Sequence, residues 1–371
     1  MARILFAGGG TGGHLYPGLA IARALVRARP SVGPFFVGAR RGIERDVLPK
    51  TEFPHLLLDL HPLYRPAVWK NWRTLLGAAS AWRQVGALVT RERPVVVVAT
   101  GGYAAGITLA YSVAHHIRIV QQIGDSMPGL TARAFSRWTE EAYLNFPEAA
   151  RVLKAQHEGS LIDTGMPIEP PPVPRPDRLA ARARWGFPPA GGSVLLVYCG
   201  SQGSLAVNRV VAEWVRSGLP PDLYLIWTTG RGTYAQFKDL ESGRVRVCDY
   251  QSPASNAYAA ADLALARSGA TTTAELLAWE IPAVLVPLPT AAADHQTTNA
   301  VALERAGAAI HLPQSRLTAP RLDETIRGLL ANPSELARLT AGAVARARPN
   351  AAADIATRIL AVIDRHASGA P

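Results

Sequence analysis

Residues 3–14 read RILFAGGGTGGH, and the fold follows from the order of features in this stretch. An apolar run of strand-like composition, Arg3–Ala7, leads into a glycine-rich loop, Gly8–His14, and a helical pattern begins at Leu15. In such a strand, loop and helix, backbone N–H groups and the positive end of the helix face a bound phosphate. The stretch therefore predicts an α/β domain that binds a phosphate-bearing substrate.

Strand and helix patterns continue to alternate through the first half of the chain. Strands are predicted at Pro34–Val37 and Val95–Ala99, and a helix is predicted over Ala104–His116. This alternation indicates βαβ units and a parallel sheet. It stops at residues 166–176, MPIEPPPVPRP, where six prolines in eleven residues favour an extended linker. We therefore expect the first domain to cover residues 1–165.

A second series of strand patterns follows the predicted linker. Helical patterns separate its strands, which are predicted at Ser193–Cys199, Leu223–Thr228, Val245–Cys248, Leu263–Ala266 and Ala283–Val286. We expect a second domain of the same kind over residues 177–350. A final helix over residues 351–366 follows a Pro-Asn break, and we expect it to pack back on the first domain. The predicted fold class is α/β with two Rossmann-like domains.

The overall composition narrows the class of protein. The chain has 371 residues, 48% hydrophobic residues and a mean hydropathy of +0.07, which fits a globular protein with two cores. Two cysteines, Cys199 and Cys248, are too few for a disulfide framework and indicate a reducing compartment. Most of the net charge of +11 lies in residues 1–165, which favours an anionic partner: a membrane surface, a nucleic acid or a phosphorylated substrate.

The first glycine loop also satisfies G-x-G-x-x-G, the pattern of dinucleotide-binding folds. Such folds carry an acid at the end of the second strand, which binds the ribose hydroxyls. Here residues 37–41 read VGARR, so no acid is present at that place. Arg40 and Arg41 suit the 2′-phosphate of NADP instead. An NADP-dependent oxidoreductase is therefore an open alternative on this segment.

Three further segments in the second half have the character of a sugar-nucleotide site. Residues 199–204, CGSQGS, form a second glycine loop after a predicted strand. Residues 267–275, RSGATTTAE, offer small residues at a helix start, with Glu275 suited to accept two hydrogen bonds from a ribose. Residues 294–299, DHQTTN, concentrate polar side chains suited to sugar hydroxyls. Phosphate, ribose and sugar sites are thus predicted in one domain.

Together these segments resemble the MurG family of bacterial N-acetylglucosaminyltransferases, which belongs to glycosyltransferase family 28 and has the GT-B fold. The resemblance covers nearly the whole chain and rests on six motifs in order: Gly9–His14 with Pro17, Gly101–Tyr103, Pro128–Thr131, Gly200–Gly203, Arg267–Ala270 with Glu275, and Asp294–Gln296 with Asn299 and Ala300. It implies two Rossmann-like domains that face each other across a cleft. It also implies a UDP-N-acetylglucosamine donor, a polyprenyl-diphosphate-linked acceptor, no metal ion or other cofactor, and no nucleic acid.

The resemblance assigns roles to individual residues. It implies that His14 is the catalytic base, since an imidazole is available to accept a proton near neutral pH. The residues implied for donor binding are Thr11, Gly12, Gly13, Ser201, Gln202, Tyr250, Gln251, Arg267, Gly269, Ala270, Thr271, Thr272, Glu275, His295 and Gln296. Those implied for acceptor binding are Gly10, Thr11, Gly12, Gly13, Gly101, Gly102 and Tyr103.

A lipid-linked acceptor implies contact with a membrane. Trp72, Leu76 and Trp82 recur at helical spacing, and basic residues flank them. Tryptophan beside basic residues is typical of an anionic membrane surface. We therefore expect a peripheral protein on the cytoplasmic face of the cell membrane, with these three residues docked but not inserted.

Two segments depart from the family's usual pattern. Residues 121–127, QQIGDSM, replace the usual His-Glu-Gln-Asn and are one residue longer, and Glu169 replaces an arginine expected near the donor. A transferase with a different lipid or small-molecule acceptor therefore stays open, as does a sugar-nucleotide-binding regulator. The leading hypothesis is an inverting transfer of N-acetylglucosamine from UDP-N-acetylglucosamine to lipid I, which is undecaprenyl-diphosphate-MurNAc-pentapeptide. The product would be lipid II for peptidoglycan synthesis.

Overall fold

The structure, a computed structural model, describes residues 2–60, 72–200, 202–251 and 253–367, apart from the side chains of residues 72–76 and 367. The chain divides into two compact units. The N-terminal unit consists of Met1–Glu169 with Asn350–Pro371, and the C-terminal unit consists of Pro170–Pro349. The division falls within the proline-rich stretch of residues 166–176.

The N-terminal unit is built on a parallel sheet. Its described strands are β1 Ala2–Gly8, β2 Val32–Ala39, β3 His55–Leu58, β4 Val96–Gly101, β5 Ile119–Ile123, β6 Thr139–Leu144 and β7 Leu161–Asp163. They lie in the order β3-β2-β1-β4-β5-β6-β7, and neighbouring strands are parallel. The chain therefore reverses its winding direction between β1 and β4. Ligands of doubly wound sheets bind beyond the carboxyl ends of the strands at this point, which is where Gly8 and Gly101 end their strands.

Helices cover both faces of this sheet because its strands are apolar on both sides. Ile4 and Phe6 of β1 pack into one hydrophobic cluster, and Leu5 and Ala7 pack into another. Successive side chains of a strand point to opposite faces, so a run of buried residues without alternation requires cover on each side. The helices of this half are α1 Gly12–Ala28, α2 Glu44–Val47, α3 Trp72–Glu92, α4 Ala104–Ala114 and α5 Leu130–Phe135.

The C-terminal unit repeats the same architecture. Its described strands are β8 Ser193–Tyr198, β9 Leu223–Thr228, β10 Val245–Cys248, β11 Leu263–Ala266, β12 Ala283–Leu285 and β13 Ala309–His311, in the parallel order β10-β9-β8-β11-β12-β13. Its helices are α6 Arg178–Arg184, α7 Leu205–Ser217, α8 Ser255–Ala260, α9 Ala270–Ala278, α10 His295–Arg305, α11 Ala319–Leu330 and α12 Pro333–Arg346. Here the winding reverses between β8 and β11. The predicted α/β fold class with two parallel-sheet units is confirmed.

The last helix, α13 Ala351–Ala367, belongs to the N-terminal unit. Ile355, Ile359 and Val362 are buried in the same cluster as Ile4 and the apolar side of α1. A charged contact adds to this packing, because buried Glu141 of β6 accepts hydrogen bonds from Arg358 at 2.9 and 3.2 Å and from Arg365 at 3.0 Å. The chain thus returns after the C-terminal unit and completes the core of the N-terminal one.

This attachment predicts a stability difference between two arginine variants. Arg358→Ala leaves the buried carboxylate of Glu141 without its two-pronged partner, and we expect the free energy of unfolding to fall by about 2–4 kcal/mol. Arg23→Ala is the matched control, because Arg23 pairs with Glu52 at 2.9 Å where both side chains are about half exposed; we expect a loss under about 1 kcal/mol. Urea unfolding of both variants measures the difference. Equal losses would contradict the anchoring role of α13.

Candidate functional site

The first glycine loop joins β1 to α1 at the reversal point of the N-terminal sheet. Thr11 precedes the helix in an extended conformation, and no side chain caps the helix start. The first turn also contains no acidic residue. Because the first N–H groups of a helix have no partner within it and carry partial positive charge, an anion is stabilised there. The backbone of Thr11, Gly12 and Gly13 therefore presents a helix start that suits an anion.

Gly101 and Gly102 allow a second loop to pack against the first. The N–H of Gly9 donates to the carbonyl of Gly101 at 3.2 Å. A Cβ atom on Gly102, whose φ is +81°, would overlap the carbonyl oxygen of Gly9, and a Cβ on Gly101 would lie 2.9 Å from the imidazole of His14. Side chains at these positions would push the loops apart. Both glycines, predicted as acceptor-binding, thus have a packing role beside His14.

The imidazole of His14 is oriented by the loop that precedes it. Its Nδ1 atom lies 3.2 Å from the carbonyl oxygen of Gly9 and 3.2 Å from the hydroxyl of Thr11. A carbonyl oxygen only accepts hydrogen bonds, so the contact with Gly9 is satisfied when Nδ1 carries the proton. In the neutral ring the lone pair is then on Nε2. The loop thereby favours the tautomer that carries its proton on Nδ1.

Gly10 and Tyr103, both implied for acceptor binding, contact other groups of the protein. The N–H of Gly10 donates to the carboxylate of Glu44 at 2.8 Å, so it is engaged within the protein. The ring of Tyr103 covers Gly10, because a Cβ there would be 3.0 Å from Cε1 of the ring. Burial and the charge of Glu44 raise the pKa of Tyr103, so its hydroxyl stays protonated near neutral pH. The N–H of Gly10 is thus engaged by Glu44, while acceptor binding by Gly10 and Tyr103 stays a prediction.

The second glycine loop follows β8 and packs against the turn after β9. Ser201 is outside the described residues, and Gln202 beside it is exposed. Gly203 has a φ of +68°, and a Cβ on it would overlap the carbonyl of Thr229, while a Cβ on Gly230 would overlap the carbonyl of Gln202. Only residues without side chains permit this backbone contact. The loop is thereby held at the carboxyl end of β8.

Arg267 connects this loop to neighbouring segments of the C-terminal unit through hydrogen bonds. Its buried guanidinium donates to the carbonyls of Val286 and Pro287 at 3.0 and 2.7 Å, to the hydroxyl of Ser204 at 2.7 Å and to Gln314 at 2.6 Å. Burial lowers the pKa of Arg267 from its ordinary value. The sequence predicted Arg267 as a donor-binding residue, but both terminal nitrogens bond to the protein. It positions the loops that would contact a donor.

The start of α9 is a second helix start that suits an anion. Gly269 precedes the helix without a side-chain cap, and the first turn contains Ala270, Thr271 and Thr272 but no acid. The hydroxyl of Thr273 donates back to Gly269 at 3.1 Å, which leaves the helix N–H groups uncapped by that side chain. As in α1, a phosphate is the natural ligand of such a helix start.

Tyr258 orients the carboxylate of Glu275 one turn further along α9. The phenol of Tyr258 donates to Oε2 of Glu275 at 2.7 Å. Burial and the charge of Glu275 raise the pKa of Tyr258, so this hydroxyl remains a donor. The ring of Tyr258 is itself fixed by edge contact with Tyr198 and by Trp279. Sequence reasoning found Glu275 but missed Tyr258, whose only signal is its tertiary contact.

Gln296 presents an amide donor to the start of α9. Its Oε1 accepts from the N–H of Leu288 at 3.0 Å, which assigns the oxygen and leaves the NH₂ group on the side of Gly269. The residues before it, Ala293 and Asp294, both have φ values of +53°. Two consecutive non-glycine residues in the left-handed region are uncommon and concentrate at functional sites. His295 and Gln296 therefore begin α10 from a conformationally specialised turn.

Tyr250 and Gln251 follow β10 at the same end of the C-terminal sheet. Tyr250 is exposed, and the guanidinium of Arg231 stacks on its ring at 4.9 Å from the centroid. Gln251 is buried. Arg231 directly follows Gly230, which contacts the second glycine loop. The structure thus adds an arginine to this edge that sequence reasoning did not single out.

The residues predicted for membrane contact are only partly described. The side chains of Trp72 and Leu76 lie outside the described residues. Trp82 is half-buried, and its ring packs on Tyr111 at 4.9 Å and beside His115 at 6.2 Å. Trp82 therefore packs partly between α3 and α4, and its role at a membrane stays a prediction.

Other apolar side chains of the N-terminal unit are exposed. Leu130, Trp138 and Val152 are between 38% and 53% exposed, and the guanidinium of Arg137 stacks on Trp138 at 3.9 Å.

Among the helices in the described ranges, none is long and apolar enough to cross a membrane. In the same ranges, no group of three or more His, Cys, Asp or Glu side chains is arranged to hold a metal ion.

Comparison with known sequences identifies relatives of the whole chain. Residues 4–144 match the N-terminal domain of glycosyltransferase family 28, and residues 194–359 match its C-terminal domain. A protein of Salinibacter ruber is 39% identical, with 98% of this chain and 97% of its own length covered. One of Moorella thermoacetica is 35% identical, with 98% and 99% covered. Both are named UDP-N-acetylglucosamine–N-acetylmuramyl-(pentapeptide) pyrophosphoryl-undecaprenol N-acetylglucosamine transferase.

Solved structures share the fold. MurG of Acinetobacter baumannii superimposes with a TM-score of 0.77 at 24% identity, covering 97% of this chain and 99% of that one. The glycosyltransferase of kitacinnamycin gives a TM-score of 0.70 at 17% identity, covering 96% and 97%. Each shares the fold of this chain over nearly its whole length.

The hydrogen bonds of Arg267 predict that its removal lowers the stability of the protein. Arg267→Ala leaves a serine, a glutamine and two carbonyls without their buried donor, and we expect the free energy of unfolding to fall by about 2–4 kcal/mol. Arg231→Ala is the control, because Arg231 is exposed; we expect a change within about 0.5 kcal/mol. Urea unfolding of the two variants tests the difference. A loss for Arg267→Ala as small as that of the control would show that these hydrogen bonds do not hold the loops.

Proposed function

The chain belongs to glycosyltransferase family 28, and on this basis we propose that it transfers N-acetylglucosamine from UDP-N-acetylglucosamine to lipid I and so forms lipid II. The observation that carries the proposal is sequence identity of 31–39% over nearly the full length to proteins named for this reaction. The site geometry supports it, since each unit has an uncapped helix start suited to one phosphorylated substrate.

The C-terminal unit would hold the donor. The N–H groups at the start of α9 suit the diphosphate of UDP, and the carboxylate of Glu275, oriented by Tyr258, suits the ribose hydroxyls. The amide of Gln296 lies beside the same helix start and suits a sugar hydroxyl. Tyr250 with Arg231 offers a flat surface to the uracil.

The N-terminal unit would hold the acceptor. We assign the lipid diphosphate to the N–H groups of Thr11, Gly12 and Gly13 at the start of α1. His14 follows within the same turn, so a hydroxyl of a diphosphate-linked sugar would be close to its imidazole. This assignment leaves Gly10, Gly101 and Gly102 as residues that shape the loop.

The transfer is a single displacement in which the acceptor hydroxyl attacks the anomeric carbon of N-acetylglucosamine. The new C–O bond forms as the bond to the UDP oxygen breaks, UDP leaves with the electron pair, and the configuration inverts. Nε2 of His14 takes the hydroxyl proton, which raises the nucleophilicity of the oxygen. The positive end of α9 stabilises the charge that develops on UDP.

An NADP-dependent oxidoreductase is not favoured. Arg40 donates to the carbonyl of Leu57 at 3.1 Å, and Arg41 lies 3.5 Å from Asp59. Both guanidinium groups therefore contact the protein, whereas a 2′-phosphate would need them as its own partners. The relatives named for glycosyl transfer also argue against a different reaction class.

An asparagine from another part of the chain contacts the segment that departs from the family pattern. Gln121 and Gln122 are buried in β5, where Gln121 donates to Thr139 at 2.6 Å and Gln122 contacts the sulfur of Met166 at 3.2 Å. Asn145, at the end of β6, donates to the carbonyl of Gly124 at 2.9 Å and so holds the loop after β5. We propose that Asn145 supplies the amide that the family places within this loop.

We propose peripheral attachment to the cytoplasmic face of the membrane, because the acceptor is lipid-linked. The exposed Leu130, Trp138 and Val152 are accompanied by the basic residues Arg137, Arg151 and Lys154. Exposed apolar and aromatic side chains with basic neighbours favour an anionic lipid surface. This set is proposed for the same role that the sequence predicts for Trp82.

Transfer assays with purified lipid I test the proposed function. Wild-type protein with radiolabelled UDP-N-acetylglucosamine is expected to convert lipid I to lipid II. Parallel reactions with a diacylglycerol and with a small-molecule aglycone distinguish the alternative acceptors. Strong transfer to one of these and none to lipid I would overturn the assignment of the acceptor.

A His14 variant tests the proposed base. We expect His14→Ala to lower kcat by about 10²–10⁴-fold, the usual contribution of a general base. The KM for UDP-N-acetylglucosamine should change little, since the donor is assigned to the other unit. His157→Ala, which removes an exposed histidine of the same unit, is the control and should leave kcat unchanged. A His14→Ala enzyme with the wild-type kcat would remove His14 from the mechanism.

A further inference from the structure

Glu44 is a buried acid that the mechanism does not use. It opens the short helix α2, and its side chain is fully buried although it carries a carboxyl group. Oε1 accepts hydrogen bonds from the N–H of Gly10 at 2.8 Å and from the N–H of Ala39 at 3.2 Å. Among the described residues, Oε2 has no hydrogen-bond partner. Burial of a carboxyl group costs free energy unless hydrogen bonds compensate it. Here one of the compensating bonds comes from the first glycine loop.

The chain provides a space made for this carboxylate. A Cβ atom on Gly9 would overlap Oε1 of Glu44, and a Cβ on Gly42 would overlap Oε2. A Cβ on Gly38 would lie 2.8 Å from Cγ of the same side chain. Glycines from three different segments therefore surround one acid. Their absence of side chains explains why Glu44 can reach beneath the loop.

The contacts of Glu44 continue to the imidazole of His14. Glu44 holds the N–H of Gly10, and the carbonyl of the adjoining residue Gly9 lies 3.2 Å from Nδ1 of His14. The peptide unit between Gly9 and Gly10 thus has the carboxylate on its N–H side and the imidazole on its carbonyl side. Rotation of this peptide would break both contacts at once.

The position of Glu44 also distinguishes this loop from a dinucleotide site. In dinucleotide-binding folds an acid near the end of the second strand binds the ribose of the cofactor. Here the acid follows β2 by five residues and bonds to the protein's own loop instead. With the N–H of Gly10 engaged and a carboxylate beneath it, an anion is disfavoured there. The helix start at Thr11–Gly13 is therefore the place in this loop where an anion is favoured.

We propose that Glu44 is a positioning residue that fixes the Gly9–Gly10 peptide, and through it orients His14 and confines the acceptor diphosphate to the start of α1. The identity of the diphosphate rests on the proposed function. The fixing of the loop does not, because it depends on hydrogen bonds to Gly10 and Ala39 alone.

Three variants separate positioning from simple stability. Glu44→Met keeps the volume of the side chain but removes its acceptor atoms. Glu44→Gln keeps an oxygen in the place of Oε1, so it should restore both hydrogen bonds. Gly42→Ala leaves Glu44 in place but displaces its carboxylate, and it stands in for Glu44→Met if that variant does not fold. Glu52→Ala removes an exposed acid of the same unit and is the control.

The first measurement is amide hydrogen exchange in residues 8–14 and 38–40 of the full chain. We expect exchange to be at least tenfold faster in Glu44→Met and Gly42→Ala, and within about threefold of wild type in Glu44→Gln and Glu52→Ala. Wild-type protection in Glu44→Met and Gly42→Ala would overturn the proposal. This readout does not depend on which substrate the protein uses.

The second measurement is transfer to lipid I, with kcat and KM determined for each substrate. We expect Glu44→Met to lower kcat/KM for lipid I at least tenfold while the Kd for UDP stays within twofold. Glu44→Gln should retain kcat/KM for lipid I within about threefold. A general loss of the fold would not separate the two variants in this way. Acceptor kinetics of Glu44→Met equal to wild type, or Glu44→Gln as impaired as Glu44→Met, would overturn the proposal. If wild-type protein transfers nothing to lipid I, the proposed function fails, and the exchange result still decides the role of Glu44.

Discussion

The positive potential of an uncapped helix start is the feature around which the candidate site of each unit is built. A parallel sheet brings the carboxyl ends of its strands, and therefore the starts of the following helices, to one edge. The helices α1 and α9 both begin there without a side-chain cap and without an acid in the first turn. Their partial positive charge is fixed by the backbone and needs no rearrangement when charge develops on a substrate. The remaining features of each unit position or exclude groups around these two helix starts.

Buried charged side chains hold the two helix starts in place. Arg267 joins the second glycine loop, the ends of two strands and Gln314 in the C-terminal unit. Glu44 performs the corresponding task in the N-terminal unit with opposite charge, since it accepts hydrogen bonds from two backbone N–H groups. Each side chain is buried and hydrogen-bonded to protein groups. Glycines beside them let the backbone approach closely enough for these contacts.

The sequence was informative where the signal was local. Apolar strands followed by glycines or small residues revealed both Rossmann-like domains, and they also predicted three ligand-binding segments. Among the strands that were missed, β5 contains Gln121 and Gln122, and β6 contains Glu140 and Glu141, which weaken an apolar pattern. These polar residues are satisfied by distant groups such as Thr139 and Arg358, which no local pattern shows. Glu44 was missed for the same reason, because Gly10 lies 34 residues away from it.

The central claim is that the C-terminal unit binds the nucleotide and the N-terminal unit does not. Hydrogen exchange of the full chain with and without saturating UDP tests it most directly. We predict slower exchange at residues 269–275 and 202–204 when UDP is bound, and unchanged exchange at residues 8–14. Protection of residues 8–14 by UDP, with residues 269–275 unaffected, would contradict the division of substrates between the two helix starts.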